Sequence, residues 1–143
     1  MARSRKTKFR VFLVDEHPVN RYGLRHLINR ETDLEVCGES DCRLAALTDV
    51  AMAKPHAVVV GVALKKSRGL SLIKHLHALD PNLSILVLSV QEDPLYAQRC
   101  LRAGAKAHLT LGEGTKAALL ALRRVISGEV METPSNVGKK DAD

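Results

Sequence analysis

Apolar residues fall in short blocks separated by polar turns, and the blocks differ in kind. Ala57–Val60 (AVVV) and Ser84–Ser89 (SILVLS) lack the in-out alternation of a half-wet strand, the pattern of strands covered on both faces in the middle of a parallel sheet. Phe9–Val14, Leu34–Glu39 and Ala107–Leu111 read as three further strands. Between them the spacing turns helical. Pro18 suits a helix start, and Tyr22, Leu24, Leu27 and Ile28 form a stripe that ends near Asn29 and Arg30. Leu44, Leu47, Val50 and Ala51 pattern a short second helix that Lys54-Pro55 ends. A third helix is expected from about Leu70 to Leu79 with Leu72, Ile73 and Leu76 inward, and a fourth from Leu95 to Ala103, stopped at Gly104. The fifth, Thr115 to Ile126, is amphipathic. Strand and helix alternate five times with connections too long for hairpins, which argues for an α/β domain with a parallel sheet and helices on both faces. From Val130 to Asp143 the chain is polar and aperiodic, a tail or the start of a linker.

At 143 residues the chain suits one domain, here residues 9–129. Aromatics make up 3%, so aliphatic side chains must fill the core. The net charge of +6 suggests a polyanion partner until it is located: Arg3, Arg5, Lys6, Lys8 and Arg10 supply five cations with no acid among the first ten residues, and the remainder carries only +1. The arm at 1–8 reads as a solvated terminus rather than a nucleic-acid site. Cys37, Cys42 and Cys100 have no metal-binding spacing and read as free thiols. No run reaches the roughly 18 apolar residues of a membrane span, and no signal-peptide core is present, so a soluble cytoplasmic protein is expected.

In parallel sheets, ligand chemistry sits just past the carboxyl ends of the strands. The first strand delivers Asp15 and Glu16 there. The central strand delivers Gly61, Val62, Ala63 and Leu64, none with a reactive side chain, and then the basic residues Lys65, Lys66 and Arg68.

RVFLVDEHPVNRYGLRHLI, DLEVCGES, the proline-led third strand, DPNLSILVLS and LRAGAKAHL follow one another in an order that resembles the receiver domains of bacterial two-component response regulators, in particular those preceding a LuxR-type DNA-binding domain. The resemblance covers about residues 8 to 129. It implies a flavodoxin-like (CheY-like) fold of five parallel strands in the order 2-1-3-4-5. It also implies a phosphorylation site. Asp15 and Glu16 match the family's Mg²⁺-holding acidic pair, and Ser89 matches the Ser/Thr after the fourth strand. The phosphoacceptor aspartate position is held by Gly61, the phosphate-steadying lysine position by Leu111, and the aromatic switch position by His108.

Phosphoryl transfer needs a nucleophilic oxygen, a divalent ion and a cation for the developing charge. Glycine offers no oxygen and leucine no charge, and Asp15 with Glu16 alone should hold Mg²⁺ only weakly. The domain is therefore expected to be a pseudo-receiver: not an enzyme, without a cofactor, its acidic pocket of Asp15, Glu16 and Ser89 vestigial. A lysine from the basic loop, Lys65 or Lys66, reaching Asp15 or Glu16 in place of the metal is one reading of that loop; solvated side chains are the other. His17, His26, His56, His75 and His77 form no donor or metal pattern. In the family, output runs through the fourth and fifth helices or the first and fifth. The corresponding exposed candidates are Tyr96, Arg99, Arg102, Lys116, Arg123 and Arg124, with Arg21, Arg25 and Asn29 on the first helix. The expected partner is a protein or a second copy, with DNA reached only through a C-terminal domain outside this chain and no membrane contact. The alternative is a small-molecule-binding or enzymatic domain on the same fold. Against it stands the lack of a G-x-G-x-x-G or P-loop after any strand.

Overall fold

The computed structural model describes residues 7–61, 66–90 and 92–131, with residues 66 and 67 as backbone only. Five strands, β1 (Phe9–Val14), β2 (Leu34–Ser40), β3 (Ala57–Val60), β4 (Ser84–Ser89) and β5 (Ala107–Thr110), form one sheet in the order β2-β1-β3-β4-β5, and every neighbouring pair is parallel. The helices are α1 (Pro18–Asn29), α2 (Arg43–Ala53), α3 (Lys66–Leu79), α4 (Pro94–Ala103) and α5 (Thr115–Ile126). This is the flavodoxin-like arrangement expected from the sequence.

The pleat sorts each strand's side chains into two layers. Val11 and Leu13 of β1, with Ala57, Val59, Leu86 and Leu88, pack against Ile28 of α1 and Ala121, Leu122 and Val125 of α5. Phe12 and Val14, with Val58, Val60, Ile85 and Val87, face Ala46 and Val50 of α2, Leu72, Ile73 and Leu76 of α3 and Cys100 of α4. All four residues of β3 are buried, as a strand without alternation requires.

Several element edges differ from the sequence reading. Helix α3 begins at Lys66 rather than near Leu70, because its first turn is basic and carries no apolar stripe to announce it. The last strand ends at Thr110, and Leu111–Glu113 form a single 3-10 turn closed by the Thr110 and Glu113 side chains. On α2 the buried positions are Ala46 and Val50, whereas Leu44 points outward. Tyr22 likewise lies off the inward stripe of α1.

Ion pairs tie helices α1 and α5 to strand β2 and to the turn before it. Arg21 and Arg25 of α1 both pair with Glu39 of β2. Burial raises the Glu39 carboxyl, but the hydrogen bonds from Arg25 and Arg21 outweigh it and bring the group below its usual value. Arg123 of α5 donates to both oxygens of Asp33 at 2.8 Å and to Glu31 at 2.7 Å, and this fork holds the Asp33 carboxyl below its ordinary range.

Candidate functional site

The carboxyl ends of β1, β3 and β4 bring Asp15, Gly61 and Ser89 to one end of the sheet, as the topology requires. Asp15 follows β1 directly and is only 1% exposed. Its Oδ1 accepts the backbone N–H of His17 at 2.8 Å, and its Oδ2 accepts the Asn20 side-chain amide at 3.2 Å. Arg21 donates to the Asp15 carbonyl at 2.6 Å, which fixes the start of the following loop.

Gly61 stands against this carboxylate. A Cβ placed on Gly61 would lie 2.0 Å from Asp15 Oδ2, 2.5 Å from its Cγ and 2.7 Å from its Cβ. The space that a side chain at position 61 would enter is therefore filled by Asp15. The Gly61 backbone meanwhile continues the sheet pairing, its N–H donating to the Val14 carbonyl at 2.7 Å.

Glu16 is half-exposed, and Arg68 reaches it at 3.4 Å across 52 positions of sequence. The basic stretch thus does meet the acidic pair, through its arginine. Lys65 and the side chain of Lys66 lie outside the described residues. Both members of the Arg68–Glu16 pair touch solvent, so it contributes at most about 1 kcal/mol.

Ser89 ends β4, and its Oγ lies 2.8 Å from Nε2 of His108 on β5. His108 is buried, and burial lowers its pKa from the usual histidine value. The Tyr96 ring stands edge-on to His108, with centroids 5.9 Å apart and planes at 82°. Burial pushes the Tyr96 phenol upward and the Cys100 thiol up to about 11, and the two side chains share a hydrogen bond. Gly69 in α3 makes room for this phenol: a Cβ there would come within 2.6 Å of the Tyr96 hydroxyl oxygen.

Leu111, where the resemblance implies a lysine, is 46% exposed at the rim of a cavity of about 170 Å³. Asp15 and Asn20 supply its polar lining, and Val19, Leu24, Leu88 and Leu111 its apolar walls.

Mg²⁺ takes oxygen ligands in near-octahedral geometry, and Asp15 with Glu16 would supply it carboxylate oxygens at this end of the sheet. Among the described residues no three His, Cys, Asp or Glu side chains are grouped to hold a metal ion. Glu16 is met by Arg68, and Gly61 adds no carboxylate.

Of the expected interaction face, Arg124 and Asn29 are exposed, and several members also have partners within the chain. Tyr96 is turned inward, packed on the core of the α2, α3 and α4 side and against His108. Arg123 is engaged by Glu31 and Asp33, and Arg124 by Glu129. On α1, Arg21 and Arg25 pair with Glu39, and the Asn29 side-chain carbonyl accepts the Val36 N–H. Arg99, Arg102 and Lys116 are exposed. The sequence reading did not pick out Asn20 or Gly69; their roles depend on contacts across elements that no local pattern signals.

Residues 11–118 match the response regulator receiver domain family, and the chain belongs to it. Among its relatives are the virulence-factor transcription regulator BvgA of Bordetella pertussis, 34% identical over 119 residues (83% of this chain, 56% of BvgA), and the response regulator GacA of Pseudomonas aeruginosa, 28% identical over 125 residues (87% and 58%). The chain thus spans little more than half the length of these relatives. Its fold matches a LuxR-family response regulator from Aurantimonas (TM-score 0.87, 23% identity, 96% of this chain and 100% of that one). It also matches the isolated receiver domain of RcsB from Salmonella enterica serovar Typhimurium (TM-score 0.78, 21% identity, 90% and 96%). No helix among the described residues is long and apolar enough to cross a membrane.

Proposed function

We propose that this chain is a phosphorylation-independent receiver of the LuxR-type regulators, a pseudo-receiver that signals by contact and catalyses no reaction. The observation that carries this reading is the Asp15 carboxylate lying across Gly61, in the space an acceptor side chain would occupy. Leu111 in place of the lysine and the Arg68–Glu16 pair support it: the charge on Glu16 is met by a side chain of the chain itself. In this reading Asp15, Glu16 and Ser89 are a vestigial pocket, and the His108 switch position is held inward by Ser89.

The working unit is residues 9–129, with a basic arm before it and a polar tail or linker after it. Its output is transcription control in the cytoplasm, through a protein partner or a second copy of the chain. Arg99, Arg102 and Lys116 are the exposed cations available for that contact. DNA is reached through a separate DNA-binding segment and not through the receiver. Intact-mass spectrometry after incubation with Mg²⁺ and acetyl phosphate tests the reading. No phosphate adduct is expected, and a stable adduct at any residue would overturn it.

A further inference from the structure

We propose that the cavity between α1 and the carboxyl ends of the strands is a binding site for an aliphatic ammonium group, with the Asp15 carboxylate as its anion. The inference deepens the pseudo-receiver reading and rests on it, since it assigns a ligand to the centre where phosphate chemistry has been lost.

The cavity holds about 170 Å³, room for a short alkyl chain but not for a nucleotide or a drug-sized molecule. Its walls are chemically divided. Val19, Leu24, Leu88 and Leu111 are aliphatic, and Gly23 contributes no side chain, a Cβ there meeting nothing within 4 Å. Asp15 and Asn20 supply the polar lining. Asp15 is 1% exposed, and each of its carboxylate oxygens accepts one N–H from the chain, from His17 and from Asn20. A carboxylate oxygen can accept two hydrogen bonds, so acceptor capacity remains on both.

A carboxylate so far out of water gains from a cation that brings its own apolar cover. Leu111, partly exposed, makes the rim apolar. The site is thus shaped for a cation on an apolar stem supplied from outside. Mg²⁺, which keeps a shell of water, gains nothing from the aliphatic walls, whereas a primary ammonium can give one of its three N–H donors to that carboxylate, leave the others to water at the rim and bury its stem. The same chemistry is carried by a free alkylamine and by the end of a lysine side chain on a partner protein.

The test is a titration of the ¹⁵N-labelled chain followed by amide chemical shifts. With n-butylammonium chloride at millimolar concentrations, saturable shifts are expected at Val19, Asn20, Gly23 and Leu111. Magnesium chloride, n-butanol and pentanoate should leave those residues unmoved. Leu111→Lys supplies an internal ammonium at an exposed rim position and should abolish the butylammonium response. Asp15→Asn keeps the shape without the charge and should weaken binding about tenfold or more.

Comparison with Nα-acetyl-lysine methylamide separates the sources: tighter binding than butylammonium points to a partner's lysine, weaker binding to a free amine. Equal shifts with butanol, or an unchanged response in the Leu111→Lys variant with its fold intact, would overturn the proposal. The absence of saturable shifts with either amine would do the same. The acetyl phosphate experiment reads the other claim separately. No adduct together with no amine binding sinks only the ammonium site, whereas an adduct sinks the reading beneath it.

Discussion

Gly61→Ala is the smallest perturbation that probes the centre of the domain. Elsewhere a glycine-to-alanine change at a compatible position stabilises by about 0.4–1 kcal/mol through the unfolded chain. Here the new Cβ would stand 2.0 Å from Asp15 Oδ2, a contact that a side-chain rotation relieves, but also 2.7 Å from Asp15 Cβ, which no rotation moves. The strand ends must shift apart, and the Asp15 carboxylate must turn away from the new Cβ and strain its bonds to His17 and Asn20. Overpacking of this kind costs about 1–3 kcal/mol, and a hydrogen bond to a charged group contributes about 1.5–3 kcal/mol. Against the entropic gain, the net expectation is a destabilisation of about 2–4 kcal/mol. Since 1 kcal/mol moves the midpoint by about 2–8 °C depending on domain size, the fall in Tm is on the order of 10 °C.

Urea unfolding followed by circular dichroism measures the change. A cycle with Asp15→Gly assigns it: removing the carboxylate and its Cβ should recover most of the loss, with a coupling of about 1–3 kcal/mol. A Gly61→Ala chain as stable as the parent would refute the reasoning, as would a cost that persists undiminished in the Asp15→Gly background.

Three further outcomes are expected. The pKa of His108 is lowered by burial, so the unfolded chain takes up its proton more readily; this contribution to stability is complete above about pH 6.5 and is lost as pH falls below it, and a His108→Phe variant should flatten that part of a urea midpoint-versus-pH curve. Arg123→Ala frees Asp33 and Glu31 and should cost about 1 kcal/mol, discounted because all three side chains touch solvent; the Asp33 share is present above the ordinary carboxyl value of 3.8 and disappears as pH drops through the lowered one, which unfolding at pH 7 and pH 3 would show. Native-state labelling with iodoacetamide near pH 7.5 should modify exposed Cys42 and spare Cys100, which is buried and held up to about 11; equal rates at the two thiols would contradict the packing around Tyr96.

What could be read from the sequence follows from range. The two apolar runs AVVV and SILVLS announce themselves because burial on both faces is written in consecutive residues, and β3 and β4 lie where expected. Gly61 likewise stands straight after β3, where the sequence order puts it. The start of α3 was hidden, because a basic first turn has no periodicity. The inward turn of Tyr96 was hidden too, since it depends on Gly69 of one helix and His108 of a strand. Arg21, Arg25 and Arg123 read as exposed candidates for an interaction face; their partners Glu39, Glu31 and Asp33 stand 14 to 92 positions away, beyond any helical spacing.

The Arg123 clasp also bears on how fast the domain comes apart. It joins α5, the last helix of the fold, to the turn between α1 and β2, closing loops of 90 and 92 positions. Contacts of such separation are reached only after intervening chain has been ordered, and a half-exposed ion pair offers little to offset loop closure before then. Such a pair belongs to the late side of the folding barrier, where its loss is felt in the unfolding rate and not in the folding rate. In stopped-flow chevrons Arg123→Ala should lift the unfolding limb and leave the refolding limb in place, so the clasp sets how long the assembled receiver persists and leaves its rate of formation unchanged.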